Sequence, residues 1–156
     1  YLDDERQTLY VRDGWNRTGD LYTRDAEGWF SYQSRADDLI VTAGYNVAGP
    51  EVEAALLAHP AVAECAVIGV PDPQRGMVIK AFVVPAAGHE PGDSLAHALQ
   101  DHAKATIAPF KYPRAVEFRD ALPKTGTGKI QRFVLRQEEL DRQGAGPDGT
   151  GGTSGT

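Results

Sequence analysis

Residues 62–85 read VAECAVIGVPDPQRGMVIKAFVVP, which is two apolar runs separated by PDPQRG. Each run is rich in Val, Ile or Phe and has the length of a buried strand, and the proline, aspartate and glycine between them are typical of a turn. We therefore predict two strands joined by a turn in this part of the chain.

The segments around this sheet predict helices and further short strands. PEVEAALLAH has Pro50 at its first position and acidic residues in its first turn, which suits a helix N-terminus. The amphipathic segment DSLAHALQDHAKATI predicts a second helix, capped by Asp93 or Ser94. Its apolar face is formed by Leu95, Leu99, Ala103 and Ile107. The strands LIVTAG and AVEF, a turn cluster GYNVAG and a last helix, IQRFVLRQEEL, complete an α+β fold in residues 37–140.

The two ends of the chain differ from this middle zone. Within residues 1–36, apolar and polar residues alternate in DLYT and in WFSYQS, two parts of GDLYTRDAEGWFSYQSR. This pattern predicts a β-hairpin with RDAEG as its turn. This zone is too short to bury a core of its own, so we expect it to end a larger, β-rich domain. Residues 141–156, DRQGAGPDGTGGTSGT, contain too few apolar side chains to fold alone and are predicted to be a disordered tail.

Charge and composition exclude several classes of protein. The 156 residues carry a formal net charge of −6 without a basic block, so we expect neither a nucleic-acid nor a membrane partner. No apolar run approaches a membrane span and no signal-peptide pattern is visible, so we expect a cytoplasmic location. The single cysteine, Cys65, excludes an internal disulfide. Because the chain does not begin with methionine, we expect it to be cut from a longer protein.

The loop LPKTGTGKIQR, residues 122–132, is similar to a phosphate-binding loop in composition but not in spacing. A Walker-type loop needs a glycine five places before its Gly-Lys pair and Ser or Thr after the lysine, and here Pro123 and Ile130 occupy those positions. Two interpretations remain open. Lys129 is either a solvated surface lysine or a mobile cation delivered to a polyanionic site, a task that suits a compact charge on a flexible stem.

Two other motifs carry candidate carboxylates. Asp20 in WNRTGDL is either an ordinary turn aspartate or an acceptor of hydrogen bonds from two vicinal ribose hydroxyls. Asp37 and Asp38 lie where the composition changes, which favours a hinge over a catalytic pair. No set of His, Cys, Asp and Glu has the spacing of a metal site, so we assign no metal ligands.

The order and spacing of three motifs together resemble the C-terminal part of the adenylate-forming acyl-CoA synthetases. They are GWNRTGDL, SRADDLIVTAGYNVAGPEVE and LPKTGTGKIQR, and the resemblance spans about residues 14–136. AGYNVAGPEVEAALLAHPAVAECAVIGVPD and HAKATIAPFKYPRAVEF are most similar to the benzoate-CoA and 2-aminobenzoate-CoA ligase branch. The resemblance implies the fold of the small, mobile C-terminal domain of that family, a small antiparallel sheet flanked by helices. It also implies that the preceding β-hairpin belongs to the large N-terminal domain.

In that family a carboxylic acid and ATP give an acyl-adenylate and pyrophosphate, and CoA then displaces AMP. The small domain rotates between two poses, one for each half-reaction. The resemblance therefore implies an AMP-forming acid–thiol ligase that uses ATP/AMP and CoA, with an aromatic acid as substrate. It also implies that the N-terminal domain is the partner of this chain and that this domain binds Mg²⁺.

Carried over residue by residue, the resemblance assigns a nucleotide set. Asp20 corresponds to the aspartate that binds the ribose hydroxyls, and Arg35 to the arginine that assists there. Asp37 corresponds to the hinge residue. Lys129 corresponds to the catalytic lysine that bridges the substrate carboxylate and the nucleotide during adenylation, where a preorganised cation lowers the repulsion between carboxylate and triphosphate.

The resemblance also assigns a path for CoA. Gly44 falls in the loop that approaches the pantetheine tunnel in the thioester-forming pose. In PFKYPR, Phe110 is expected to stack on the CoA adenine and Arg114 to pair with a CoA phosphate. Ordinary packing and surface roles are the alternative for Phe110 and Arg114.

Several parts of such an enzyme do not occur in these 156 residues: the Ser/Thr/Gly-rich phosphate loop, the aromatic-Gly-x-Thr-Glu segment and the acid pocket. We therefore expect the chain to be inactive alone, as an excised C-terminal piece, a truncated product or half of a split enzyme. Two alternatives remain. One is the corresponding domain of a peptide-synthetase-type adenylation enzyme, and the other is a non-catalytic interaction module with the same fold.

Overall fold

The computed structural model describes residues 11–12, 15–16 and 18–144. The first ten residues and the predicted tail from residue 145 lie outside the described residues. In chain order the elements are β1 (Val11–Arg12), β2 (Trp15–Asn16), β3 (Asp20–Arg24), β4 (Phe30–Arg35), β5 (Leu39–Thr42), β6 (Tyr45–Ala48), α1 (Gly49–Leu57), β7 (Val62–Asp72), β8 (Gly76–Pro85), α2 (Asp93–Thr106), β9 (Ala115–Phe118) and α3 (Arg132–Gly144). Short 3₁₀ turns cover Ala36–Asp38 and Pro109–Lys111.

Strands β7 and β8 form the predicted antiparallel pair, which runs from Val62 opposite Pro85 to Asp72 opposite Gly76 with one register shift between Val62 and Glu64. The turn between them is stabilised by Asp72, whose Oδ1 accepts the backbone N–H groups of Gln74 and Arg75 at 3.0 and 2.8 Å. An aspartate that bonds the backbone two and three residues on is a common turn device. The PDPQRG segment therefore closes the hairpin as its composition predicts.

The third strand joins this sheet in the parallel sense. β9 pairs with β8, with Lys80 beside Ala115 and Val83 beside Phe118. The sheet is thus antiparallel, as predicted, between β7 and β8, and parallel between β8 and β9. Helix α2 lies between β8 and β9 in the sequence. Because this helix carries the chain back to the end of the sheet where β8 begins, β9 can run in the same direction as β8.

The predicted turn cluster GYNVAG is wrong in part, because residues 45–48 form strand β6, which pairs with β5. The turn is confined to Ala43 and Gly44, with φ of 49° and 83°. Two residues with positive φ are what a tight type I′ hairpin turn requires, and its twist suits paired strands. Gly44 adopts this backbone without strain, whereas Ala43 does not. The backbone N–H of Ala43 donates to the Arg75 carbonyl at 3.0 Å, which holds the turn in place.

The sheet lies between two apolar layers. On one face, residues of β5, β6, α1 and α2 pack against inward-facing side chains of β7 and β8, including Val52, Leu56, Val67 and Ile79. On the other face, Leu122 and Leu135 pack against Ala66, Ile68, Val70 and Phe82. Alternate residues of β7 thus serve opposite faces, as strand geometry dictates. The predicted α+β fold class is confirmed.

The helices agree with the predicted apolar faces but differ at their ends. In α2, Leu99 and Ala103 are fully buried, and Leu95 and Ile107 are partly buried against the same core. The predicted cap of α2 is wrong: Gly92 is the cap residue, Asp93 is already helical, and no side chain caps the N-terminus. Helix α3 continues to Gly144, four residues into the predicted tail. No helix in the described part of the chain is long and apolar enough to cross a membrane.

Charged side chains attach α3 to the sheet. The Lys80 ammonium lies 2.8 Å from Glu117 and 2.7 Å from Glu139, which is one of the few buried acids. Arg119 and Arg142 also contact Glu117, at 2.9 and 2.8 Å. Burial alone would raise the pKa of Glu117, but hydrogen bonds from Arg142, Lys80 and Arg119 outweigh it and lower this pKa to about 2.

This pKa shift predicts how stability responds to acid. Because the pKa of Glu117 is lower in the folded chain, its contribution is fully present above pH 4.5 and is lost as the pH falls from 4.5 towards 2. We expect Glu117→Gln to be less stable than the wild type above pH 4.5 and to lose less stability through that window. Urea unfolding across the window measures the difference, and parallel curves for the two proteins would contradict it.

Candidate functional site

The predicted nucleotide residues Asp20 and Arg35 are brought together by the β3–β4 hairpin, in which they are direct cross-strand partners. The Arg35 Nη1 lies 3.5 Å from the Asp20 Oδ1 and donates to the Thr18 carbonyl at 3.1 Å. Its Nη2 lies 3.9 Å from the Asp37 Oδ2. One guanidinium therefore stands between two carboxylates, and the Arg35 and Asp37 side chains remain exposed to a ligand, at 48% and 66%.

Gly19 also shapes this group, and the sequence patterns did not single it out. Its φ is +76°, and a Cβ at this position would lie 3.1 Å from the Arg35 Nη2. The Gly19 carbonyl also accepts the backbone N–H of Ala36 at 2.6 Å. Only glycine combines this backbone with so close a guanidinium. The Thr-Gly-Asp order of the motif is therefore needed to seat Arg35 beside Asp20.

Gly44 and Phe110, both assigned to the CoA path, lie near each other. Gly44 is at the exposed tip of the β5–β6 hairpin, with no atom within 4 Å of where its Cβ would be. The next residue, Tyr45, stacks on Phe110 with ring centroids 4.4 Å apart and planes 28° apart. Both rings stay about half exposed, at 54% and 42%. The stack gives an aromatic surface beside an open glycine turn.

Arg114, the third residue assigned to CoA, is exposed and lies over Tyr112, with its Cζ 5.1 Å from the ring centroid. The Lys104 ammonium lies 4.6 Å from the same ring. Two cations over one aromatic ring give a local positive charge on an acidic protein. This arrangement suits an anionic group but does not by itself identify one.

Lys129 lies in an exposed loop directly before α3. Its backbone N–H donates to the Thr125 hydroxyl at 3.1 Å, and its carbonyl accepts the Thr125 N–H at 2.8 Å. Within residues 18–144 no ion pair or hydrogen bond involves its ammonium group. The other four lysines of the chain each pair with a carboxylate, as in Lys80–Glu139, Lys104–Asp101, Lys111–Glu51 and Lys124–Glu64. Among the lysines, Lys129 is thus the one whose ammonium has no carboxylate partner within residues 18–144.

Four charged residues form what we call the arginine cluster: Asp38, Glu53, Arg132 and Arg136. The Arg132 Nε and Nη2 donate to the two oxygens of Glu53 at 2.8 and 2.6 Å. Arg136 donates to the Asp38 carboxylate at 3.2 Å. Hydrogen bonding to Glu53 raises the pKa of Arg132. The sequence patterns did not reveal this cluster, because its members are distant in the chain.

The described residues do not favour two other kinds of chemistry. Burial, with the Glu53 carboxylate adding to it, raises the pKa of the Cys65 thiol to about 12, so the thiol stays protonated and is not a nucleophile. Within the described part of the chain, no group of three or more His, Cys, Asp or Glu side chains is gathered as a metal site would need.

Six of the seven site residues therefore lie in three groups, and the seventh, Arg114, lies over Tyr112. Asp20, Arg35 and Asp37 are in direct contact, and Gly44 and Phe110 are joined through Tyr45. Lys129 stands apart from both groups: no hydrogen bond or ion pair among residues 18–144 joins its side chain to them. A reaction in which all of these residues contact one ligand therefore requires residues outside the described part of the chain, or a different conformation of the chain.

Comparison with known proteins identifies the kind of domain. The family described as "AMP-binding enzyme C-terminal domain" matches residues 51–129. The mitochondrial acyl-coenzyme A synthetase ACSM4 of Mus musculus is 48% identical over 145 residues, which cover 91% of this chain and 25% of that protein. The 4-hydroxybutyrate–CoA ligase 1 of Metallosphaera sedula is 44% identical over 149 residues, 96% of this chain and 26% of that protein.

A solved structure supports the same grouping. The anthranilate CoA ligase AuaEII in complex with anthranoyl-AMP is 41% identical with a TM-score of 0.76, over 89% of this chain and 27% of that one. The chain thus spans about a quarter of the length of the relatives it matches. Because the family match covers half of the chain, the chain belongs to the family of AMP-binding enzyme C-terminal domains, and the relatives named here are acyl-CoA synthetases and CoA ligases.

Proposed function

We propose that this chain is the C-terminal portion of an ATP-dependent, AMP-forming acid–CoA ligase and that Lys129 is its adenylation lysine. The observation that carries the proposal is the state of Lys129, which is exposed in a Gly/Thr loop and is the one lysine with no acid partner in the described part of the chain. A lysine that is already paired with a carboxylate would bind a triphosphate more weakly, because the two anions compete for it. An unpaired ammonium on a flexible side chain is free to bind the triphosphate.

Adenylation brings the carboxylate of the acid up to the α-phosphate of ATP. Both groups are anionic, so a cation placed between them stabilises the charge that develops as the carboxylate attacks and pyrophosphate leaves. In the second half-reaction the CoA thiol attacks the acyl-adenylate and AMP leaves. The lysine has no corresponding task in that step, so the proposed rotation of the domain would withdraw it.

The three residues of the β3–β4 region have proposed roles that fit their contacts. Asp20 is an acceptor for the two ribose hydroxyls, and Arg35 holds this carboxylate in place from 3.5 Å. Asp37 follows β4 directly and is only loosely paired, with Arg35 at 3.9 Å. A backbone rotation there would break at most this contact and one hydrogen bond, from the Arg136 guanidinium to the Asp37 carbonyl at 3.3 Å, which suits the proposed hinge and the proposed division between residues 1–36 and 37–140.

The proposed contacts to CoA are made by Gly44, Phe110 and Arg114. Gly44 at the hairpin tip leaves room for the pantetheine arm, because nothing fills the space that a side chain would take. Phe110 and Tyr45 offer an aromatic surface for the adenine, and Arg114 a charge for a phosphate. The described residues do not fit a magnesium site, so we assign the magnesium ion of the reaction to the proposed N-terminal domain, and we derive no step through it.

We further propose that the acid is aromatic and that the enzyme is cytoplasmic. The acid proposal rests on the resemblance to benzoate-CoA and 2-aminobenzoate-CoA ligases and on the likeness to an anthranilate CoA ligase. The relative that acts on 4-hydroxybutyrate, by its name, defines the competing class of acid. The two classes can be separated by experiment.

The test is acid-dependent pyrophosphate release by the full-length protein that carries this chain, with ATP and magnesium. We expect release with benzoate or 2-aminobenzoate to exceed release with 4-hydroxybutyrate or medium-chain fatty acids, and acyl-CoA to form when CoA is added. Preference for an aliphatic acid would overturn only the aromatic proposal. Transfer to a carrier protein but not to CoA would indicate a peptide-synthetase-type enzyme. No release with any acid would favour a non-catalytic module.

A further inference from the structure

The loop of Lys129 is a closed turn whose second arm runs straight into helix α3. The Gln131 N–H donates to the Pro123 carbonyl and the Thr125 N–H to the Lys129 carbonyl, both at 2.8 Å. Lys124 and Ile130 face each other as an isolated antiparallel bridge. The loop therefore has a defined shape, but its orientation on the domain depends on what holds its ends.

The end next to Lys129 is held by Arg132, the first residue of α3. Arg132 donates both of its hydrogen bonds to Glu53 of α1, at 2.8 and 2.6 Å, and its Nη1 lies 3.9 Å from the Asp38 carboxylate. Glu53 is only 8% exposed and its Oε1 also accepts the backbone N–H of Val67 at 2.9 Å. Two parallel bonds to a carboxylate that is itself fixed leave the guanidinium little freedom.

The next turn of α3 reaches the segment that follows the proposed hinge. Arg136 donates to the Asp38 carboxylate at 3.2 Å and to the Asp37 carbonyl at 3.3 Å. Asp38 is well covered, with 13% of its side chain exposed. The arginine cluster thus connects the Lys129 loop, helix α1 and the first residue after Asp37 into one unit.

We propose that Arg132 is a positioning residue for Lys129: it fixes the start of α3 to Glu53 and Asp38, so that the lysine loop keeps its place relative to the hinge when the domain rotates. This inference rests on the proposed function for its catalytic meaning. A surface lysine that binds no ligand does not need a fixed loop position. A lysine whose ammonium must contact one particular phosphate does need it. A displacement of about 1 Å can cost a reaction up to about 100-fold.

Arg142 provides a matched control on the same helix. It also pairs with carboxylates, Glu117 at 2.8 Å and Glu139 at 2.7 Å, but it lies at the far end of α3 from the loop. Removing either arginine takes away ion pairs that stabilise the packing of α3. Only the loss of Arg132 should change what happens at Lys129.

The experiment compares Arg132→Lys and Arg132→Gln with Arg142→Lys and Arg142→Gln in the full-length protein. One arm measures hydrogen exchange of the backbone amides in residues 124–131, which needs no substrate. The other arm measures kcat and KM for adenylation, and thioester formation from premade acyl-adenylate. We expect Arg132→Gln to speed exchange in the loop and to lower kcat of adenylation about tenfold or more, with KM for ATP and the second half-reaction little changed. Arg132→Lys should lie between it and the wild type.

The outcomes separate this inference from the proposed function. If Arg132 and Arg142 variants change exchange and adenylation alike, Arg132 is a packing residue and the inference is overturned. If the wild-type protein adenylates no acid, the proposed function fails, and the exchange arm alone decides: faster exchange in residues 124–131 for Arg132→Gln but not for Arg142→Gln supports the anchoring, and equal exchange refutes it.

Discussion

Lys129→Ala in the full-length protein is expected to slow adenylation about 100- to 1,000-fold, the range found when one preorganised donor to a developing negative charge is removed. Thioester formation from premade acyl-adenylate should stay close to the wild-type rate. The physical reason, in the proposed mechanism, is that the ammonium opposes the repulsion between carboxylate and triphosphate, and this repulsion exists only in the first half-reaction. Pyrophosphate release and acyl-CoA formation, measured separately, give the two rates.

Lys124→Ala is the matched control for this prediction. Lys124 lies in the same loop, but its ammonium is already paired with Glu64 at 2.6 Å on the surface. An exposed pair of this kind contributes at most about 1 kcal/mol to stability, and its loss should leave both half-reactions nearly unchanged. Equal losses in the two half-reactions for Lys129→Ala, or equal effects of the two lysine variants, would refute the assigned role.

The elements with a strong local signal could be predicted from the sequence. The two apolar runs of residues 62–85 are the paired strands β7 and β8, because strands buried on both faces read as continuous apolar segments. The predicted hairpin brings Asp20 and Arg35 near each other, but a register shift between Leu21 and Tyr22, which the alternation does not predict, makes them direct partners. The apolar face of α2 follows from helical periodicity. In each case the information lies within one or two adjacent elements.

Features that depend on the tertiary fold were not predicted. The two-residue turn at Ala43 needs a positive φ at an alanine, which local preferences argue against, so the sequence pattern predicts a longer turn that includes the residues of β6. The sense of β9 depends on how α2 crosses the sheet. The pairing of Glu53 with Arg132 joins residues 79 apart, and nothing in either local motif requires it. The motif alone suggests Lys129 as a candidate site residue, but it does not reveal the contacts between Arg132 and Glu53 beside the Lys129 loop.

Glu53→Ala is expected to lower the free energy of unfolding by about 3–5 kcal/mol, as is typical when one partner of a buried ion pair is removed. The Arg132 guanidinium, with 22% of its side chain exposed, would lose both of its short hydrogen bonds and keep its charge. The buried Val67 N–H would lose its only side-chain acceptor, and an unsatisfied buried donor costs about 1–3 kcal/mol.

Glu51→Ala controls for the removal of a carboxylate from the same helix. Glu51 also pairs with a cation, Lys111 at 2.7 Å, but 41% of its side chain is exposed, so its loss should cost at most about 1 kcal/mol. Glu53→Gln, which keeps an acceptor for Val67 but not the charge, should fall between the two alanine variants. Urea unfolding of all three measures the order. If Glu53→Ala proves no more destabilising than Glu51→Ala, then the Arg132–Glu53 pair does not hold α3 to α1, and the anchoring proposed for the Lys129 loop loses its physical basis along with it.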